Sequence, residues 1–320
     1  MIWTILLVTV ALLVGLILFP SLTLPGKWLA VAQAAYRESV RQPLFWLLLA
    51  LTVVFMLISV YLPYFTFNEE LKMMKGINLS AILLATLVLT VFSAGVSISE
   101  EIEGRTAVTV LSKPMSRRAF LIGKFVGIFL SAVLLAVLLS IVMAMTIYYR
   151  NEIDQEEPRP QLAEIQQVET ALGFLPQAVL GSLRYLLYLG HEMSLIAPGV
   201  VCNLFQVMIL TGLAVALATR LPVVVNLVIC LTVFILGRLS HILVYQSAPE
   251  REGNPLVHVM AQVFSTVLPG FNYFDMTDAV VSGIEVPWGD YVLHVGVHAA
   301  VYTTIALLFG LILFEDRDVA

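Results

Sequence analysis

Charge is what this sequence has least of. Asp, Glu, Lys and Arg make up 12% of its 320 residues, where a soluble domain carries about 25%, so a water-soluble globular fold is excluded. Cysteine is equally scarce. Cys202 and Cys230 both fall in apolar runs and form no C-x-x-C pair, which implies no disulfide framework and leaves them as inert helix residues. The motifs that carry chemistry are missing too. No G-x-x-x-x-G-K-[ST] phosphate loop is present, and "GRTAVTV" and "IGKF" do not fit its spacing. "HEMSL" lacks the second histidine that a zinc site on one helix face needs, and no G-x-S-x-G elbow occurs. The chain has no engine of its own for catalysis, so any work it does must be driven by a partner or by a gradient.

What the sequence does have is hydrophobic length. Sixty per cent of the residues are hydrophobic and the mean hydropathy is +0.95. A helix needs about 20 apolar residues to cross the hydrocarbon core. Seven stretches qualify, at 2–19, 44–63, 79–98, 120–149, 198–219, 222–245 and 292–314. The expected fold is an all-α polytopic membrane protein, with too little polar sequence left over for a separate soluble domain. The fourth stretch exceeds the required length, so its helix is expected to start outside the membrane near Ser116, an N-cap after Pro114.

Lys and Arg placement sets the orientation. With the 99–119 loop in the cytoplasm, Lys27, Arg37, Arg41, Arg105, Lys113, Arg117, Arg118, Lys124, Arg220 and Arg317 fall inside. They outnumber Lys72, Lys75, Arg150, Arg159, Arg184 and Arg251 outside, and the acid-rich 150–197 segment agrees. The N-terminus is then outside and the C-terminus, "FEDRDVA", cytoplasmic. The first span has no basic residues ahead of it, which favours an uncleaved anchor over a signal peptide. After it, "GKWLAVAQAAYRESVRQPLFW" mixes Trp28, Val31, Ala35 and Val40 with Lys27, Arg37, Glu38 and Arg41. That pattern suits a helix on the inner membrane surface, with an ordinary cytoplasmic linker as the alternative. "LVHVMAQVFSTVL" and "FLPQAVLGSLRYLLYLG" are apolar but too short to span, and are expected as re-entrant or interfacial segments on the outer side.

The most charged stretch is "SISEEIEGRTAVTVLSKPMSRR", residues 97–118. Charge at bilayer depth is expensive, so Glu100 and Glu101 must sit at the inner interface. Glu101 and Arg105 are spaced i,i+4 with the acid first, the favourable order for a pair on a continuing helix. Gly104 allows a sharp turn, and "TAVTVLS" could form a short surface helix ended by Pro114. Positive-inside bias explains the basic residues here, but not Glu100, Glu101 and Glu103 clustered at a membrane exit.

This stretch resembles the Glu-Glu-x-x-Gly-Arg-Thr…Leu-Ser-Lys-Pro…Ser-Arg pattern of permease subunits in the type-2 ABC exporter family. Glu100, Glu101, Gly104, Arg105, Thr106, Leu111, Ser112, Lys113, Pro114, Ser116 and Arg117 all fit. "LPGFNYFDMTDAVVSG" with "VPW", and the ending "FEDRDV", are similar to that family's segment before its last span and to its closing tail. The resemblance covers residue 26 onward and implies a six-span permease core, with residues 1–25 as one extra N-terminal transmembrane helix. Within 26–320 it implies a surface helix at 27–41, a coupling loop at 99–118, an outer segment at 150–197 and a re-entrant segment at 255–285. It further implies docking on a separate cytoplasmic ABC ATPase that binds ATP and Mg, with Glu103 and the loop residues as the contact and Lys27, Arg37 and Arg41 in the same docking area. A second permease copy or paralogue and membrane lipid are the other implied partners, in a bacterial-type inner membrane. No nucleic-acid partner and no cofactor in this chain are implied.

Two polar groups stand apart. Arg238, with His241 three residues on and Asn226 three turns earlier, lies within an apolar run. An intramembrane Arg costs about 2.5–3.5 kcal/mol on insertion scales, which makes these residues a candidate translocation path; the alternative is snorkelling to the outer headgroups. His294 and His298 share a helix face at i,i+4, a spacing compatible with metal. They lack further ligands nearby, so interfacial packing is the expectation. Three functions compete at this point: a transport permease driven by a separate ATPase, a non-transporting membrane scaffold using the same ATPase contact, and a membrane-embedded metal-site protein.

Overall fold

The computed structural model describes residues 2–21, 26–62, 70–103, 116–153, 177–246, 257, 259, 260, 262, 268–283 and 286–315. These residues are 91% helical and contain no strand. In chain order the helices are α1 (Ile2–Leu18), α2 (Lys27–Arg41), α3 (Pro43–Ser59), α4 (Glu70–Glu103), α5 (Arg117–Ile153), α6 (Gln177–Ala218), α7 (Val223–Gln246), the short α8 (Thr277–Val281) and α9 (Leu293–Glu315). A 3-10 turn at Phe271–Phe274 precedes α8, and a π turn at Trp288–Val292 leads into α9.

Five helical segments among the described residues are long and apolar enough to cross a membrane: α4 to α7, and the π turn with α9. The chain is therefore a multi-pass helical membrane protein. The hydrophobic runs predict seven spans, and the difference lies at the N-terminal end. There α1 and α3 have 17 residues each, the short end of the range for a crossing. Taken with α2, α3 passes as a sixth span bent by 55°. The bend has a local cause. Pro43 sits at the first turn of α3 and holds Gln42 extended, with ψ 137°, which ends α2.

The long helices overshoot the bilayer. α4, α5 and α6 have 34, 37 and 42 residues, so they run for about 50–60 Å against about 30 Å of hydrocarbon. The segment "FLPQAVLGSLRYLLYLG", expected as a separate interfacial piece, instead belongs to α6 from Gln177 onward, and α6 passes through Pro198 unbroken. Membrane helices tolerate such a proline because neighbouring helices and hydroxyl side chains re-satisfy the freed backbone groups. The other outer segment, before Pro269, lies almost wholly outside the described residues. α4 is the central helix: 72% of its apolar window is buried in the protein, against 28% for α7 and 22% for α9, which face outward.

Two buried lysines mark the ends of the buried length of α4. Near its start, Lys75 Nζ lies 3.1 Å from Glu192 Oε2 of α6. Near its far end, Ser97 accepts from Lys124 Nζ of α5 at 2.6 Å. From residue 75 to residue 97 a helix rises about 33 Å, close to the hydrocarbon thickness. The two lysines thus lie about one hydrocarbon thickness apart along α4, a spacing that would keep both away from a bilayer centre, where charge is most costly.

Candidate functional site

The 99–118 segment is entered from α4 and left through α5, and both flanks are built into one platform with α2. Lipid offers no hydrophobic drive for helix association, so close packing needs small residues. α5 supplies Gly123 and Gly127, one turn apart on the face that receives α2. A Cβ on Gly123 would come 2.6 Å from the Trp28 carbonyl oxygen, and one on Gly127 would come 2.3 Å from that of Ala32. Neither position has room for a methyl group. Ala32, Ala35, Tyr36 and Ser39 form the buried face of α2.

Polar groups lock this seat. Lys124, 2% exposed, donates to Glu38 Oε2 at 3.2 Å and to Ser97 Oγ at 2.6 Å. The Ser97 hydroxyl in turn donates to Glu38 Oε2 at 2.6 Å. One lysine on α5 therefore ties α2 to the last buried turn of α4. A second link runs from Ser93 of α4 to Gln42 Oε1 at 3.0 Å, and Phe120 lies under the ammonium at 5.9 Å. Lys27, Arg37 and Arg41 project from the opposite, exposed face of α2, where the predicted surface helix puts them. Arg37 also donates to the Pro20 carbonyl. Together with Gln33 to Phe19 at 2.9 Å and Tyr36 to Leu16 at 3.0 Å, it satisfies carbonyls at the end of α1 that have no partner within their own helix. α1 is thereby anchored on α2.

Of the loop residues themselves, Glu100, Glu101 and Glu103 lie on the last turn of α4, with their side chains outside the described residues. Gly104, Arg105, Thr106, Ser112, Lys113 and Pro114 also lie outside them, as does the expected short helix. The exit is described. Ser116 Oγ accepts from the Ala119 N–H at 3.3 Å, the expected N-cap. Arg117 turns inward: it donates to the Phe314 carbonyl at 3.0 Å and packs its guanidinium over the Phe314 ring at 5.5 Å. Arg220 does the same for Leu313 at 2.7 Å. Arg117 thus closes the end of α9 rather than standing clear at the surface.

Arg238, His241 and Asn226 do not line one path. Asn226 is fully buried and donates to the Ala214 carbonyl at 3.0 Å, tying α7 to α6. Arg238 pairs with Asp275 and packs over Phe234. The backbone of His241 is helical, and its side chain lies outside the described residues. Burial pushes the Asp275 carboxyl up, but hydrogen bonds from Thr277 and the Arg238 guanidinium outweigh it and hold the group below the ordinary carboxylate value.

His294 contacts the Asp290 carbonyl. His298 packs among Tyr273, Phe274 and Tyr302, with ring centres 4.9–6.4 Å away. Among the described residues no three His, Cys, Asp or Glu side chains gather closely enough to hold a metal.

The sequence reading missed three features. Gly123 and Gly127 are visible as a small-x-x-x-small pair. Lys124 carries no local sign of burial. Neither do Lys75 and Glu192, which are 8% and 4% exposed although charge counting places Lys75 in an outer loop. No protein-family model matches the chain, and no curated protein matches it.

Proposed function

We propose that the chain is the transmembrane permease subunit of an ATP-driven transporter of the type-2 ABC exporter class, powered by a separate cytoplasmic ATPase that docks on the 99–118 segment. The observation that supports it most is the platform. α2, the end of α4 and the start of α5 are fixed to one another by Gly123, Gly127 and the Lys124–Glu38–Ser97 cluster. A push on the segment between α4 and α5 would reach the two central membrane helices directly, with the basic face of α2 beside it. A rigid lever of this kind is what a chain without a nucleotide site needs in order to be driven by one that has it. The working unit pairs two such permeases, in a bacterial-type inner membrane, with the C-terminus on the ATPase side.

The test is co-purification in gentle detergent of wild type beside the double variant Glu101→Lys, Arg105→Glu. The expected result is an ATP-hydrolysing chain that accompanies the wild type and is lost from the double variant, while both permeases elute and melt alike. If no ATPase accompanies the wild type under any solubilisation, the reading fails.

A further inference from the structure

α4 is buried on two sides that differ in chemistry. One side is apolar: Leu83, Leu87, Val91, Ala94 and Ile98 recur every three or four residues and pack with Cys202, Leu210 and Phe234. Toward α3 and α5 the same spacing brings up Asn78, Thr86, Thr90, Ser93 and Ser97, each at most 1% exposed. These five fall within about a third of the helix circumference. Three of them meet polar groups across the seam. Ser59 Oγ lies 3.1 Å from Asn78 Oδ1, Ser93 donates to Gln42 Oε1 at 3.0 Å, and Ser97 donates to Glu38 Oε2 at 2.6 Å. Numbers rise along α4 as they fall along α3, so the two helices are antiparallel. Thr52, between Gln42 and Ser59 and itself buried, therefore stands at about the height of Thr86. On α5, Ser131 lies two turns past Lys124, the residue that bonds Ser97, which brings it to the height of Thr90. Polar side chains thus follow one another from Asn78 to Ser97, a rise of about 29 Å.

Helix-to-helix bonding accounts for Asn78, Ser93 and Ser97. It does not account for the hydroxyls between them, because their protons go to carbonyls of their own helices. Thr86 donates to Ile82 at 2.8 Å, Thr90 to Leu87 at 3.0 Å and Ser131 to Ile128 at 2.7 Å. Their oxygens can still accept. The Asn78 amide nitrogen, with no exposure to solvent, finds no acceptor among the described residues, and a buried donor left unpaired is costly. We propose that this seam takes water: a file of molecules runs along α4 between α3 and α5. It donates to the Thr86, Thr90 and Ser131 oxygens and accepts from the Asn78 amide. Water does both and is held by two to four such partners, whereas a bare cation suits the oxygens but not the N–H. Polar residues inside membrane helices face such hydrated paths. The polar path through the bundle then follows α4 rather than Arg238. The inference does not depend on the permease reading.

The test uses the full wild-type chain in lipid vesicles with isotope-labelled threonine. Solid-state NMR measures how fast polarisation passes from water protons to each threonine. Thr211 of α6, equally buried, is the reference. The expected result is transfer to Thr86 and Thr90 several-fold faster than to Thr211. Thr86→Val and Thr90→Val each remove one signal and so identify it; where a valine variant does not fold, serine at the same position serves. Transfer to Thr86 and Thr90 no faster than to Thr211 overturns the proposal, because the seam is then dry packing. Fast transfer to only one of the two overturns it as well, since the file would stop short. So does equally fast transfer to all three, which would mean that water is not confined to the seam.

Discussion

The two buried lysines near the ends of α4 are paired differently, although the Glu70 end also carries a wetter pair, Arg150 with Glu70, whose carboxylate is 35% exposed. At the Glu70 end, Lys75 and Glu192 form a dry pair, with side chains 9% and 5% exposed. At the Glu103 end, Lys124 is just as dry but its carboxylate partner, Glu38, is 35% exposed, and the Ser97 hydroxyl sits between them. A dry pair offers water no foothold and can be opened only at the cost of two stranded charges. A pair with one wet partner loses less when it is broken, because water can take the place of the lost partner. The first arrangement ties α4 to α6 through buried charge alone, and the second holds the platform beside the proposed coupling segment at a lower cost of rupture.

The largest effect should come from breaking the dry joint on one side. Glu192→Leu strands Lys75 and should cost about 3–5 kcal/mol of stability, read by thermal unfolding in detergent. The double variant Lys75→Met, Glu192→Leu should recover most of that loss. A double variant as unstable as the single one would mean that the pair is not what holds the Glu70 end of α4 to α6. Lys124→Met should cost less, about 1–2 kcal/mol, because Glu38 can take up water and keeps its bond from Ser97. On the proposed function its larger consequence should be in coupling: the proposed ATPase partner should still bind, but its hydrolysis should no longer respond to this chain. If Lys124→Met destabilises as much as Glu192→Leu, the contrast between the two joints is lost.

Much of this architecture is legible in the sequence, because lipid makes hydrophobic length an unusually direct signal. α2 begins and ends at the predicted 27 and 41, and Ser116 caps α5 as its position after Pro114 implies. The errors have physical reasons. Hydropathy sees where a helix is greasy and not where it stops, so α6 runs on from Gln177 through Pro198 as one element. Charge counting assigns Lys75 to an outer loop because it weighs sign and span number; the partner that lets this lysine be buried, Glu192, is 117 residues away. Arg238 was legible as an unusual charge, but its partner Asp275 lies 37 residues on, beyond the end of α7. Local spacing can propose a site residue, but only the packing of distant helices names its partner.

Arg238 and Asp275 also allow the finest test of the comparison, since this pair is wet, with side chains 30% and 37% exposed, yet on the chosen topology belongs to the same outer half as Lys75. A carboxylate this exposed should answer to pH. The Asp275 carboxyl is held below the ordinary value of about 3.8, so folding favours the charged form. Its contribution is fully present above that ordinary value and is lost as pH falls through the lowered one. Wild type and Asp275→Asn should therefore differ in melting temperature at neutral pH, and the difference should shrink steadily as the pH is taken below about 4. A difference that stays constant down to the acid limit would mean that Asp275 does not titrate there, and that the Arg238 pair behaves as a dry one despite its exposure.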